Sequence, residues 1–97
     1  MSYKKGDVVS VISSAGEFVG KYKDSGASSF VLDDPRMVIQ TQEGMGFARG
    51  VAVTGEENPE NMVFNSYVFV AKSNDKVTEA HANATGSIVK PDSKIVT

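Results

Sequence analysis

The sequence predicts an all-β fold, a small barrel or curled sheet of about five short strands, because β-branched and aromatic runs recur between turn signals along the chain. Ninety-seven residues suffice for one hydrophobic core and not for two. Gly20 stands in the middle of a strand-like segment, where a glycine weakens the strand unless a sharp bend is wanted there. Bends of that kind curl a short sheet into a barrel.

The elements follow in order. Val8, Val9, Val11 and Ile12 form a β-branched cluster, Ser13-Ser14-Ala15-Gly16 is turn-like, and Glu17 to Lys23 resumes extended character, so the three make a hairpin. Side chains alternate along a strand, which puts Phe18, Gly20 and Tyr22 on one face and Val19, Lys21 and Lys23 on the other. Ser25-Gly26-Ala27-Ser28-Ser29 is a small-residue loop before the strand Phe30-Val31-Leu32, which Asp33-Asp34-Pro35 is expected to interrupt because proline has no N–H to give. Met37 to Gln42 and Phe47 to Thr54 flank Glu43-Gly44-Met45-Gly46 and read as a second, longer hairpin. Gly55 to Asn61 is acidic and turn-rich, and Met62 to Lys72 carries the strongest strand signal in the chain. Beyond Lys72 no aromatic residue occurs, and the tail is expected to pack lightly and to be mobile in part. Two forms suit it: a short helix with Asn74 as N-cap, or an edge strand over Val77 to Ala80.

Composition excludes several kinds of chemistry. Hydrophobic residues at 40% and charged residues at 23% describe a globular chain. The absence of cysteine removes disulfides, thiolate metal sites and cysteine nucleophiles and suits a cytoplasmic setting. The longest apolar run, Tyr67 to Ala71, falls far short of the ~18 residues that cross a bilayer, and no signal-peptide pattern opens the chain, so no membrane partner is expected. Asn83-Ala84-Thr85, a glycosylation acceptor in form, is then a chance match. A net charge of −2 argues against a generally basic nucleic-acid coat. Lys4, Lys5, Lys21 and Lys23 gather in the first part of the chain, which allows a segregated surface with one basic face, although a mixed solvated surface is the favoured reading.

No enzyme signature is present. The single histidine, His81, lies in the tail, a poor place to hold catalytic geometry, and reads as a surface residue without a role. Asp33-Asp34 and Glu56-Glu57-Glu60 lack the ligand spacing of a cation loop and read as solvated acidic turns, so no metal is expected. Gly44-Met45-Gly46 and Gly50 lack the helix start that a phosphate-cradling loop requires, and no cofactor is expected.

Val9-Ser10-Val11, Ala15-Gly16, Gly20 in the bent strand and Phe30-Val31-Leu32-Asp33-Asp34 together resemble the first half of the Sm-like domain shared by Sm, LSm and Hfq proteins. Asn61-Met62-Val63-Phe64-Asn65-Ser66-Tyr67-Val68 is similar to the family's second signature, and the two stretches cover about half the chain. A second alignment places that signature on Phe47-Ala48-Arg49-Gly50-Val51, but it leaves the strongest strand outside the barrel.

The resemblance implies a small, strongly bent five-stranded Sm-like barrel over residues 1–72, with 35–60 as a variable-loop hairpin insertion and 73–97 as a C-terminal extension. It also implies a homo-oligomeric ring, closed by edge strands of neighbouring copies, that binds single-stranded RNA or another nucleic acid at its pore. Ser25, Gly26, Ser28, Ser29, Asn65 and Ser66 would then line the site, with Lys21, Lys23 and Lys72 as phosphate contacts and Tyr67 or Phe30 as a stacking surface. Two departures bear on that role. Gly26 stands where the family carries an aspartate, and Asn65-Ser66 replaces the Lys-His or Arg-Gly pair. Both remove groups that would grip a uridine-rich strand, so a scaffold or virion-assembly ring without nucleic-acid affinity is the rival expectation.

Overall fold

The computed structural model describes residues 3–48, 50–52 and 54–86. The chain is all-β apart from one short helix: β1 (Val8–Ser13), β2 (Gly16–Ser25), β3 (Phe30–Thr41), β4 (Gly44–Phe47), β5 (Asn61–Phe64), β6 (Phe69–Lys72) and α1 (Asp75–Thr85). The strands form one antiparallel, barrel-like sheet in the order β4-β3-β2-β1-β6, with β5 also pairing β3.

β1 alternates as its sequence requires, and Val9 and Val11 are fully buried. Its turn into β2 is held by Ser13, whose hydroxyl accepts from the Ala15 N–H at 3.1 Å and donates to the Gly16 carbonyl at 3.1 Å. In β2 three consecutive residues, Phe18, Val19 and Gly20, are buried, so that strand is covered on both faces. Phe18 joins Val9, Val11, Phe30, Leu32 and Phe64 in the core, where its ring meets Phe64 edge-on at 5.5 Å. Val19 faces the other way, towards Val38 and Phe47 and the α1 residues Val77 and Ala80.

The bend has a definite construction. Val19 pairs Arg36 and Lys21 pairs Asp33, so the single residue Gly20 stands opposite two, Asp34 and Pro35. This is a β-bulge. Asp34 takes a left-handed conformation (φ 49°), and a Cβ at position 20 would come within 3.0 Å of the Asp33 carbonyl oxygen and of the Leu32 side chain. Only a glycine leaves the two strands room to cross this closely.

The bulge also corrects the expected interruption at Asp33-Asp34-Pro35. β3 runs through it, with Pro35 buried, because a bulged residue owes the ladder no hydrogen bond and the missing N–H costs nothing. Part of the segment expected to be an insertion is thus the second half of a barrel strand.

The second hairpin is tighter than its sequence suggested. The turn sits at Gln42-Glu43, where the Thr41 hydroxyl accepts from the Glu43 N–H at 3.2 Å and donates to the Gly44 carbonyl at 2.7 Å. Gly44, Met45 and Gly46 are therefore strand residues opposite Thr41, Gln40 and Ile39, and the arm ends at Phe47 instead of continuing to Thr54. Gly50 explains the stop: its φ is 76°, and the Glu56 carbonyl oxygen occupies the space within 2.8 Å of where a Cβ would stand.

The strong strand signal over Met62 to Lys72 resolves into two strands that serve opposite edges. β5 pairs β3, with Phe64 opposite Phe30, and β6 pairs β1, with Phe69 opposite Ile12. Asn65 to Val68 carries the chain across, and the Val68 N–H donates to the Ile12 carbonyl at 2.7 Å.

In the tail the helix forms and the edge strand does not. Asn74 caps α1 by accepting from the Val77 N–H at 2.8 Å, and Gly86 ends it in a left-handed conformation. Residues 87–97 of the expected mobile extension lie outside the described residues.

Because the bend depends on a missing side chain, Gly20→Val is expected to destabilise the fold by about 1–3 kcal/mol through overpacking against Leu32 and the Asp33 carbonyl. Urea midpoints at constant m-value check this, and an unchanged midpoint contradicts it.

Candidate functional site

Pairing of Phe30 with Phe64 carries the end of β2, the connection 26–29 and the residues after β5 to one end of the sheet. Ser25, Gly26, Ser28, Ser29, Asn65 and Ser66, predicted from separate parts of the sequence, are brought together there. All six lie at the surface, Ser29 less exposed than the others. The connection is tied by the Gly26 N–H, which donates to the Ser29 carbonyl at 2.9 Å, and Ser25 shares a hydrogen bond of 2.8 Å with the Tyr22 hydroxyl.

Under these loops runs a row of aromatic rings. Tyr3 to Tyr22, Tyr22 to Phe30 and Phe30 to Tyr67 are separated by 6.0, 5.4 and 5.5 Å between centroids. Phe30 is buried and belongs to the core, whereas Tyr67 is 43% exposed, so Tyr67 is the ring that offers a surface for stacking. Tyr22 was not singled out by the sequence, although its place opposite Leu32 near the end of a long strand puts it beside the loops.

The predicted lysines do not join this cluster as free charges. Lys21 lies 3.5 Å from the Asp34 carboxylate and Lys23 lies 3.9 Å from that of Asp33. Antiparallel register makes both pairs possible, since Lys21 stands directly opposite Asp33 with the bulge beside it. Lys72 sits two strands away, opposite Val9, and has no carboxylate partner among the described residues. The acidic residues Asp33 and Asp34 are thus cross-strand counter-charges to lysines, not an independent acidic turn.

His81 corrects a second expectation. It is completely buried and is the one buried residue of α1. Its Nε2 lies 2.7 Å from the Asp34 carbonyl oxygen, so Nε2 carries the proton and donates, and Nδ1 bears the lone pair. Nδ1 is buried with no hydrogen-bond partner among the described residues. Phe47 meets the imidazole edge-on at 6.2 Å. Burial pushes the His81 pKa below the ordinary 6.5; the Asp34 carbonyl bond works against that shift, the Arg36 and Lys21 charges add to it, and the Asp34 carboxylate opposes it. No local pattern signals such burial, because it depends on a carbonyl contributed by a residue 47 positions earlier.

Among the described residues no three His, Asp or Glu side chains lie close enough to hold a metal ion, and no helix is long and apolar enough to cross a membrane. The described residues thus make up a small all-β, barrel-like domain with a polar loop cluster at one end, an exposed tyrosine beside it and a helix fastened across its bulge. No family model, no curated protein and no solved structure matches the chain.

Both lysine–aspartate pairs are partly exposed, so a double-mutant cycle on Lys23 and Asp33 should return a coupling of about 0–1 kcal/mol that shrinks with salt. A salt-independent coupling above about 2 kcal/mol would mean that the pair is structural and that Lys23 is not available to an incoming phosphate.

Proposed function

We propose that the protein is a self-assembling β module, whose copies join edge to edge through β5 and β6 into a closed homo-oligomeric ring, and that the loops at one end of each copy form a rim for single-stranded nucleic acid. Three strands, β4, β5 and β6, have one neighbour each among the described residues, and the state of β5 and β6 carries the reading. β5 pairs only β3 and β6 pairs only β1 among the described residues. Val63 on β5 is 56% exposed, Phe69 at the start of β6 is 53% exposed, and Val68 just before it is 69% exposed. Unpaired N–H and C=O groups flanked by apolar side chains are a template for another strand.

β5 and β6 are different surfaces, so a contact between them is head-to-tail. Such contacts build rings when the rotation closes. The reading agrees with what the Sm-like resemblance implies for edge strands, and the strand split after Phe64 gives each copy one edge of each kind.

Nucleic acid fits the rim through neutral groups more than through charge. Ser25, Ser28, Ser29, Asn65 and Ser66 offer hydroxyl and amide hydrogen bonds, and Tyr67 offers a stacking face worth ~1–3 kcal/mol per base. Repetition around a ring multiplies weak contacts. Lys72 is the lysine of the proposed phosphate contacts that has no ion-pair partner among the described residues, so few counterions are released per subunit.

The pairing of Lys21 and Lys23 with aspartates favours one rival, a scaffold ring without nucleic-acid affinity. Anisotropy titrations of labelled oligo-U and oligo-A at two salt concentrations separate the two. Binding that weakens modestly with salt and drops in Tyr67→Ala is the expected result; no binding at micromolar ring leaves the scaffold. Assembly itself is read from sedimentation of Val63→Asp and Phe69→Asp, each expected to lower the mass towards one chain. If the unaltered protein already sediments as a single chain, the ring is excluded.

A further inference from the structure

Helix α1 is joined to the barrel-like sheet in an unusual way. Its one fully buried side chain is an imidazole, while Val77, Thr78, Ala82 and Thr85 are only partly covered and Asp75, Lys76 and Glu79 are exposed. Apolar helix faces are usually held by several buried aliphatic residues. Here the buried part of the fastening is the imidazole, whose Nε2–H donates to the Asp34 carbonyl at 2.7 Å and whose ring meets the edge of Phe47. The bulge presents that carbonyl, since Asp34 leaves the regular ladder and its backbone takes a left-handed turn.

Beneath α1 lies an apolar cavity of about 130 Å³ between the helix and the sheet. Val19, Val38 and Phe47 line its sheet side, Val77 and Ala80 its helix side, and the exposed residue Glu17 stands at its border. The interface is loosely filled at its centre, and His81 is the residue of α1 that is fully buried against the sheet.

We propose that α1 is an acid-released latch: protonation of His81 frees the helix from the sheet and uncovers the apolar groove between β2, β3 and β4 while the rest of the barrel stays folded. A proton arriving from solvent would bind Nδ1, the ring nitrogen that holds the lone pair. The resulting Nδ1–H has no acceptor among the described residues, and a buried donor without a partner is costly. The new positive charge also faces Arg36 and Lys21. Arg36 is itself buried and gives its Nη1–H to the Pro35 carbonyl. Against these stands the carboxylate of Asp34, which is already engaged by Lys21 at 3.5 Å. From β4 the side chain that meets the imidazole is the uncharged Phe47, and from β2 the cavity border carries Glu17.

The sign follows from linkage. A docked helix binds the proton more weakly than a free one, so protons favour release. Docking is at full strength above the ordinary histidine value of 6.5 and is lost as the pH falls below it. The ratio of released to docked helix rises about tenfold per pH unit until the lowered docked value is reached.

His81 is the sole histidine of the chain, so its imidazole signal in an NMR titration is unambiguous. Amide exchange protection, measured residue by residue between pH 7.5 and 5.5, is expected to fall across Asp75–Thr85 and to hold in Val9, Val11 and Leu32. His81→Gln keeps an N–H for the Asp34 carbonyl and takes up no proton. Its helix protection is expected to be independent of pH over that range. Joint loss of protection in helix and sheet, or undiminished protection of the helix, overturns the latch. So does an acid loss in His81→Gln equal to that of the unaltered protein. Should the variant fail to dock at any pH, the imidazole titration of the unaltered protein decides: a midpoint below 6.5 supports the latch, and one at or above it refutes it.

Discussion

The structure turns on the crossing of β2 and β3 at Gly20. One residue there opposes two, and Asp34, pushed into a left-handed conformation, becomes the point from which several parts of the molecule are held. Its N–H donates to the Glu60 carbonyl at 2.8 Å and thereby anchors the chain that enters β5. Its carboxylate lies 3.5 Å from Lys21, and its carbonyl accepts from His81 at 2.7 Å. A local irregularity in the ladder thus sets the curvature of the sheet, the position of one edge and the docking of the helix.

The sheet curls without closing on itself among the described residues. β3 is long enough to pair β2 on one side and both β4 and β5 on the other, while β1 reaches only β2 and β6. The chain then crosses from β5 to β6 through Asn65 to Val68 and leaves the outer side of each strand open. Hydrophobic burial explains the interior, where Phe18, Phe30, Leu32 and Phe64 are closely packed, but it leaves Val63, Val68 and Phe69 in water. Those residues acquire a physical reason if a neighbouring copy covers them.

Much of the fold was legible because its signals are local. The first hairpin, the strand at Phe30 and the all-β class follow from alternation and turn chemistry, and Asn74 carries the capping chemistry of the helix that follows. Gly20 was readable as a bend, since a glycine inside a strand needs a reason. Illegible features depended on what lies across the ladder. Pro35 reads as a stop until the bulge opposite Gly20 removes its obligation to donate, and Gly44-Met45-Gly46 reads as a turn until Thr41 fixes the reversal two residues earlier. At the loop cluster, five polar residues and Gly26 from two separate stretches converge, because Phe30 pairs Phe64. The neutralisation of Lys21 and Lys23 was not foreseen, because it rests on cross-strand register. His81 looked idle for the same reason: its partner is a backbone carbonyl that the bulge turns towards it.

In the proposed ring the outer sides of β5 and β6 are completed by another copy of the chain. Hydrogen exchange on the amides of Asn61–Phe64 and Phe69–Lys72 that point away from β3 and β1 tests it directly, as a function of protein concentration. The account predicts that at high concentration these amides become as slow as the paired amides of β1, and that dilution restores fast exchange. Exchange at the rate of an open edge at every concentration would contradict it.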